Sequence, residues 1–138
     1  KQNLIQLANK MQLENIEFCQ PVPKDHVPNV LKRADVLVLT KDSTFAVYSG
    51  SILKMFDYMA SCKPVVFSGE VSYNPIAESQ CGFTVPPEDA TALADAIIAL
   101  YHMPQEERVA MGHRGRGFVE KHHDIRLLAK LLESVIEK

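Results

Sequence analysis

The chain has 138 residues, 46% hydrophobic and 23% charged, with 15 Lys and Arg against 17 Asp and Glu, which is the make-up of one ordinary globular domain with a sizeable core. A formal net charge of -2 excludes a protein whose affinity comes from neutralising many phosphates along a nucleic acid. No apolar run approaches the roughly 20 residues needed to cross a bilayer, and Lys1 to Lys10 lack the apolar stretch of a signal peptide.

In chain order, Leu4, Leu7, Ala8 and Met11 follow helical spacing, and Asn15-Ile16-Glu17-Phe18-Cys19 reads as a short strand closed by Pro21-Val22-Pro23. Asp25 can cap a second helix carrying Val27, Val30 and Leu31. Asp35-Val36-Leu37-Val38-Leu39-Thr40 is then a nearly continuous apolar run, the pattern of a parallel strand buried on both faces. A loop from Lys41 to Gly50 leads to the clearest helix, where Ile52, Met55, Phe56, Met59 and Ala60 repeat at i, i+3, i+4, i+7 and i+8. Lys63-Pro64 stops it, Val65-Val66-Phe67 is the next strand, and Asn74 before Pro75 marks a short helix through Glu78. Gly82 to Val85 is a fourth strand. Asp89 caps a helix with Leu93, Ile97 and Leu100, Pro104 with Glu106 and Glu107 opens another, and Ile125 to Ile136 is helical and broadly apolar.

Strands alternating with helices predict an α/β fold, a doubly wound parallel sheet of Rossmann-like type with right-handed crossovers. The chain opens in a helix where a complete sheet of this kind begins with a strand, so an incomplete domain lacking its first strands is predicted, with C-terminal helices over about 104–138. Cys19, Cys62 and Cys81 are an odd set with no C-x-x-C pair, which fits a reducing, cytoplasmic setting. Among His26, His102, His113, His122 and His123 no two stand at i, i+4, so no metal site is predicted. His122-His123, Arg114 and Arg116 read as helix-end chemistry. Gly112, Gly115 and Gly117 do not read as a phosphate loop, because no strand precedes them.

In open parallel sheets the ligand lies beyond the carboxyl ends of the strands. The longest of those loops delivers Ser49-Gly50-Ser51 to a helix start, where unpaired N–H groups and the positive dipole end favour an anion such as a diphosphate. Lys54 adds a positive charge, and Asp57 on the same polar face can accept from two sugar hydroxyls. The spacing equally fits a helix that Ser51 merely caps, with Lys54 and Asp57 as an exposed i, i+3 pair.

The stretch Ser51-Ile52-Leu53-Lys54-Met55-Phe56-Asp57-Tyr58-Met59-Ala60-Ser61-Cys62-Lys63-Pro64-Val65-Val66 resembles the S-P-x-K-x-[FY]-[ED]-Y-M-A-x-G-K-P-V-V segment of family-4-type glycosyltransferases of the GT-B architecture. Asn15-Ile16-Glu17-Phe18, Ala34-Asp35-Val36, Asn74-Pro75-Ile76, Cys81-Gly82-Phe83, Pro86-Pro87-Glu88-Asp89 and Met111-Gly112 extend the likeness. The resemblance implies that residues 1–138 are the carboxyl-terminal, donor-binding domain of an enzyme moving a sugar from a nucleotide-sugar to a glycan or lipid-linked acceptor in polysaccharide biosynthesis. It implies a diphosphate at the N–H groups near Ser51, Ile52 and Leu53 with Lys54 assisting, Asp57 on the ribose, and the base at main-chain atoms of Gln20-Pro21-Val22. It implies no cofactor besides the donor substrate, no nucleic acid, and a parent protein peripheral to the inner membrane face. No catalytic residue is assigned.

Four positions depart from that pattern. Ser49 stands at the first position of an E-x7-E pair, Ile52 replaces a proline, and Cys62 and Gln20 replace glycines. The family's acceptor domain and its basic leaving-group residues would lie before Lys1, so the 138 residues alone are expected to be inactive. The alternative is a non-catalytic nucleotide-binding or receiver-like regulatory module; against a receiver, Lys63-Pro64 precedes its strand and no acidic pair ends the first one.

Overall fold

The computed structural model describes residues 1–43 and 52–137. Three strands, β1 (Leu37–Thr40), β2 (Val65–Ser68) and β3 (Gly82–Val85), form a parallel sheet in the order β1-β2-β3. The helices are α1 (Gln2–Lys10), α2 (Val27–Lys32), α3 (Leu53–Ala60), α4 (Pro75–Ser79), α5 (Ala90–His102), α6 (Gln105–His122) and α7 (Ile125–Ile136). This is the mixed α/β, Rossmann-like arrangement that the alternating pattern predicts.

Local chemistry sets several boundaries. Asn74 accepts from the Ala77 N–H at 3.2 Å with Pro75 in the first turn, and Asp89 accepts from the Ala92 N–H at 2.8 Å, so α4 and α5 start on side-chain caps. α3 ends through Cys62 at φ +59, the left-handed conformation that glycine adopts without a Cβ penalty.

The sheet has one core on each face. Leu39, Val65 and Phe67 meet Ile52, Met55 and Met59 from the α3 segment and Ile76 from α4. Val66 on the opposite face meets Ala96 and Leu100 of α5 and Met111 of α6. All four residues of β2 are buried, as expected of a parallel strand covered twice. Helix α6 packs along α3 and α4 and touches both cores. Its fit depends on absent side chains: a Cβ at Gly112 would stand 2.1 Å from the Cys62 carbonyl oxygen, and one at Gly115 2.8 Å from the Cys81 Cβ. These glycines make a notch for the Cys62 backbone before β2 and the Cys81 side chain before β3.

Three expectations are corrected. Asn15–Cys19 forms no strand: the residues are irregular and mostly exposed, because a strand exists only where a neighbour satisfies its N–H and C=O groups and no ladder reaches them. Strand β1 is not buried on both faces; Leu37 and Leu39 are buried whereas Val38 and Thr40 are exposed, since β1 lies at the sheet edge. Asp25 does not cap α2 but sits inside a 3-10 turn at Lys24–His26 that runs into it.

Candidate functional site

The apolar face of α3 is turned into the sheet, and this positions its start. Ile52, the residue before the first turn, is buried with Leu39 and Phe67 from the carboxyl halves of β1 and β2. The amino end of α3 therefore stands at the rim where a parallel sheet binds ligands. Leu53, 78% exposed, and Lys54 face solvent, so this tip is not packed beneath other described segments. Among the described residues no side chain caps it, and its first N–H groups are the type of donor that anions seek.

Asp57 lies one turn further along α3 and is exposed. Asp57 lines a cleft of about 590 Å³ together with Lys24, Val27, Pro28, Leu31 and Lys32 of the 3-10 turn and α2, and with Ala60, Ser61 and Cys62 at the carboxyl end of α3. Its lining mixes the apolar Val27, Pro28, Leu31 and Ala60 with the cations Lys24, Lys32 and Arg116. Among the described residues the ion pairs are Asp25–His26 and Arg116–Glu120, so the exposed Lys54–Asp57 pair that spacing alone allows is not formed. The Asp57 oxygens remain available as acceptors.

Of the other sequence-selected residues, Gln20 and Val22 are exposed in the irregular segment before Lys24. Ser49, Gly50 and Ser51 lie outside the described residues. A second concavity of about 310 Å³ opens at the carboxyl ends of the strands between Thr40, Ser68 and Asp89. Its polar groups have structural partners: Ser68 Oγ donates to the Pro86 carbonyl at 3.1 Å and Asp89 caps α5. No group of three or more His, Cys, Asp or Glu among the described residues could hold a metal ion. No helix among them is long and apolar enough to cross a membrane.

The arginines read as helix-end chemistry do act on carbonyls, but on those of other helices. Arg116 donates to Ala60 O at 2.9 Å, at the end of α3, and Arg114 to Gln80 O at 3.0 Å, just past α4. At the end of α6, His123 packs on Phe56 with ring centroids 4.2 Å apart and lies 3.2 Å from the Tyr73 hydroxyl. Burial lowers its pKa from the ordinary 6.5, the neighbouring His122 lowers it further, and Glu78 opposes. Tyr73 is held above its usual 10.0, by burial first and by Glu78 second.

The sequence pattern described as Glycosyl transferases group 1 matches residues 1–103. The chain belongs to this family. Among solved structures it is similar to the C-terminal domain of a glycosyl transferase group 1 family protein (LpcC) from Francisella tularensis, with 19% identity and a TM-score of 0.71 over 90% of this chain and 62% of that one. It is also similar to the N-terminal domain of trehalose-6-phosphate phosphatase from Candida albicans, with 16% identity and a TM-score of 0.65 over 87% of this chain and 26% of that one. At these identities the likeness is one of fold, and the chain spans less than two thirds of either structure. No curated protein matches it. The group 1 domain thus carries the GT-B carboxyl-terminal fold.

Proposed function

We propose that this group 1 domain is the donor-binding part of an enzyme that transfers a sugar from a nucleotide-sugar to a glycan or lipid-linked acceptor, in polysaccharide biosynthesis. The observation that carries the reading is that one helix offers both halves of a nucleotide site. Buried Ile52 holds the open tip of α3 at the sheet rim, while Asp57, one turn along the same helix, lines the cleft that runs on to the helix's carboxyl end.

The proposed chemistry follows from these positions. The donor diphosphate sits against the N–H groups at Ile52 and Leu53, with Lys54 adding charge. Asp57 accepts hydrogen bonds from the two ribose hydroxyls, and the apolar lining residues Val27, Pro28 and Leu31 suit the flat face of a base whose edge meets main-chain atoms at Gln20-Pro21-Val22. Lys24 and Lys32 favour an anionic ligand over a neutral one. Cleavage of the bond between sugar and diphosphate leaves a developing negative charge that needs further donors and a site closed to water. An acceptor domain and basic residues elsewhere in a longer protein would supply them, so the 138-residue chain is expected to bind donor without turnover.

Titration with UDP, GDP and ADP, followed by calorimetry, tests this reading and identifies the base. One of the three should bind, and Asp57→Asn should weaken it by about 10-fold, the loss of one or two charge-assisted hydrogen bonds, without changing Tm, because Asp57 is exposed. Absence of binding by all three, or equal affinity of Asp57→Asn, would contradict it. Sugar transfer by a longer protein would separate an enzyme from a regulatory module.

A further inference from the structure

Helix α6 runs alongside α3 in the opposite direction. Gly112 faces the Cys62 carbonyl just past the end of α3, Arg116 reaches Ala60 O at 2.9 Å, and His123, the residue that ends α6, packs on Phe56. Each step along α6 thus moves from the carboxyl end of α3 towards its tip. The ring of His123 comes to rest against the middle of the helix that carries both halves of the proposed nucleotide site.

That ring touches more than α3. Its Nε2 lies 3.2 Å from the hydroxyl of Tyr73, in the segment that leaves the carboxyl end of β2 and so borders the ligand rim. The segment is fixed at its two ends: Gly69 donates its N–H to Val85 O at 3.1 Å, and Asn74 Nδ2 donates to Thr84 Oγ1 at 3.0 Å. Between these anchors Val71 leans on the core beneath α3, and Tyr73 meets His123. Phe118 of α6 lies 6.0 Å from the same ring and packs with Phe56 against that core. One imidazole therefore joins α3, α6 and the rim segment.

A phenylalanine would fill this space with carbon; a histidine adds a proton that comes and goes between about pH 5 and 8. The titratable groups facing the ring are His122 on α6, Tyr73 on the rim segment and Glu78 on α4, while neighbouring Asp124 is engaged as the cap of α7, accepting the Arg126 N–H at 2.8 Å. Burial first and His122 second favour the neutral ring in this packing, and Glu78 acts against them. A neutral ring in its Nδ1–H tautomer accepts the Tyr73 O–H at Nε2, whereas an imidazolium has no acceptor left. Uptake of a proton therefore favours a ring that has left Phe56 and Tyr73 for water.

We infer that His123 is a positioning residue for the donor: its neutral ring braces α3 through Phe56 and the rim segment through Tyr73, and protonation releases both and weakens the hold on a nucleotide diphosphate. The link to the donor rests on the reading above, since Phe56 adjoins Asp57 and α3 carries the open tip; the brace itself does not.

Calorimetry on the 138-residue chain, with the nucleotide diphosphate that binds, compares wild type, His123→Phe and His123→Ala at about pH 7.5 and about pH 5.5. The ratio of wild-type to His123→Phe affinity at each pH removes the titration of the nucleotide itself. It should fall by at least about 5-fold on acidification. His123→Ala should bind more weakly than His123→Phe at both values, because only the latter keeps a ring on Phe56. A ring that serves packing alone would give a ratio independent of pH, and that result would overturn the link to the donor. The brace is read without nucleotide by NMR: contacts between the rings of His123 and Phe56 should be strong at about pH 7.5 and weaken at about pH 5.5. Contacts that survive protonation of His123 would overturn the brace, whatever the nucleotides do. Failure of UDP, GDP and ADP alike to bind would remove the donor reading and this link with it, and leave the ring contacts to decide the brace.

Discussion

Residues 1–36 bury one side chain, Ala8, whereas β2 alone buries four. Both regions carry apolar residues at regular spacing, and the spacing in α1 is as clear as that in α3. The difference is cover. Met55 and Met59 of α3 press on a sheet that α4 and α6 also enclose, while Leu4 and Leu7 of α1 and Met11 just past it face solvent. Periodicity tells which face of an element calls for burial; it does not tell whether anything is there to bury it. The candidate site lies on the seam between these regions, with Asp57 from the packed side and Lys24 and Lys32 from the exposed side.

Substitutions can break this contrast. The largest effect is expected at the α6 notch. Gly112→Leu drives a side chain into the Cys62 backbone and should cost about 4 kcal/mol or abolish cooperative unfolding; Val30→Ala in exposed α2 should stay within about 0.5 kcal/mol. Urea unfolding of the two variants measures both. Met59→Ala, at a fully buried position, should cost about 2–5 kcal/mol by cavity formation, and Leu7→Ala should be near neutral by the same assay. Equal losses at the two positions would erase the distinction between the regions.

Smaller effects sharpen it. Cys62→Gly relieves the left-handed backbone at the end of α3 and should stabilise by about 1 kcal/mol, visible as a raised Tm. The His123 ring contributes a pH dependence. Its folded pKa lies below 6.5, so the unfolded chain takes the proton first; the contribution is present above pH 6.5 and is lost as pH falls through that value towards the folded one. His123→Phe keeps the contact with Phe56 and should flatten the fall in Tm on acidification, as measured by circular dichroism.

The packed block was the legible part. The run Leu37 to Thr40, the stripe Ile52-Met55-Met59, and the signals Asn74-Pro75 and Asp89 each carry local chemistry that the structure keeps, because propensity, cap and burial agree there. Asn15–Cys19 was misread because its evidence was one-sided: β propensity is present, but ladder partners are not. Double burial of β1 failed for a related reason, since an apolar run cannot show that its strand lies at an edge. The glycines of α6 and the carbonyl contacts of Arg114 and Arg116 gave no sequence signal of their purpose, because each serves a segment 34 to 56 residues away in the chain.

For the candidate site, the order of residues placed Asp57 one turn below a helix start and beyond a strand's carboxyl end, and the motif from Ser51 to Val66 pointed to the family. Those are properties of neighbours along the chain. That Ile52 is sunk into the core while Leu53 and Lys54 stay in solvent, that Asp57 shares a cleft with α2, and that β1 keeps one side unpaired among the described residues are properties of neighbours in space. They depend on which elements meet, because burial and hydrogen bonding are settled only when both partners are in place.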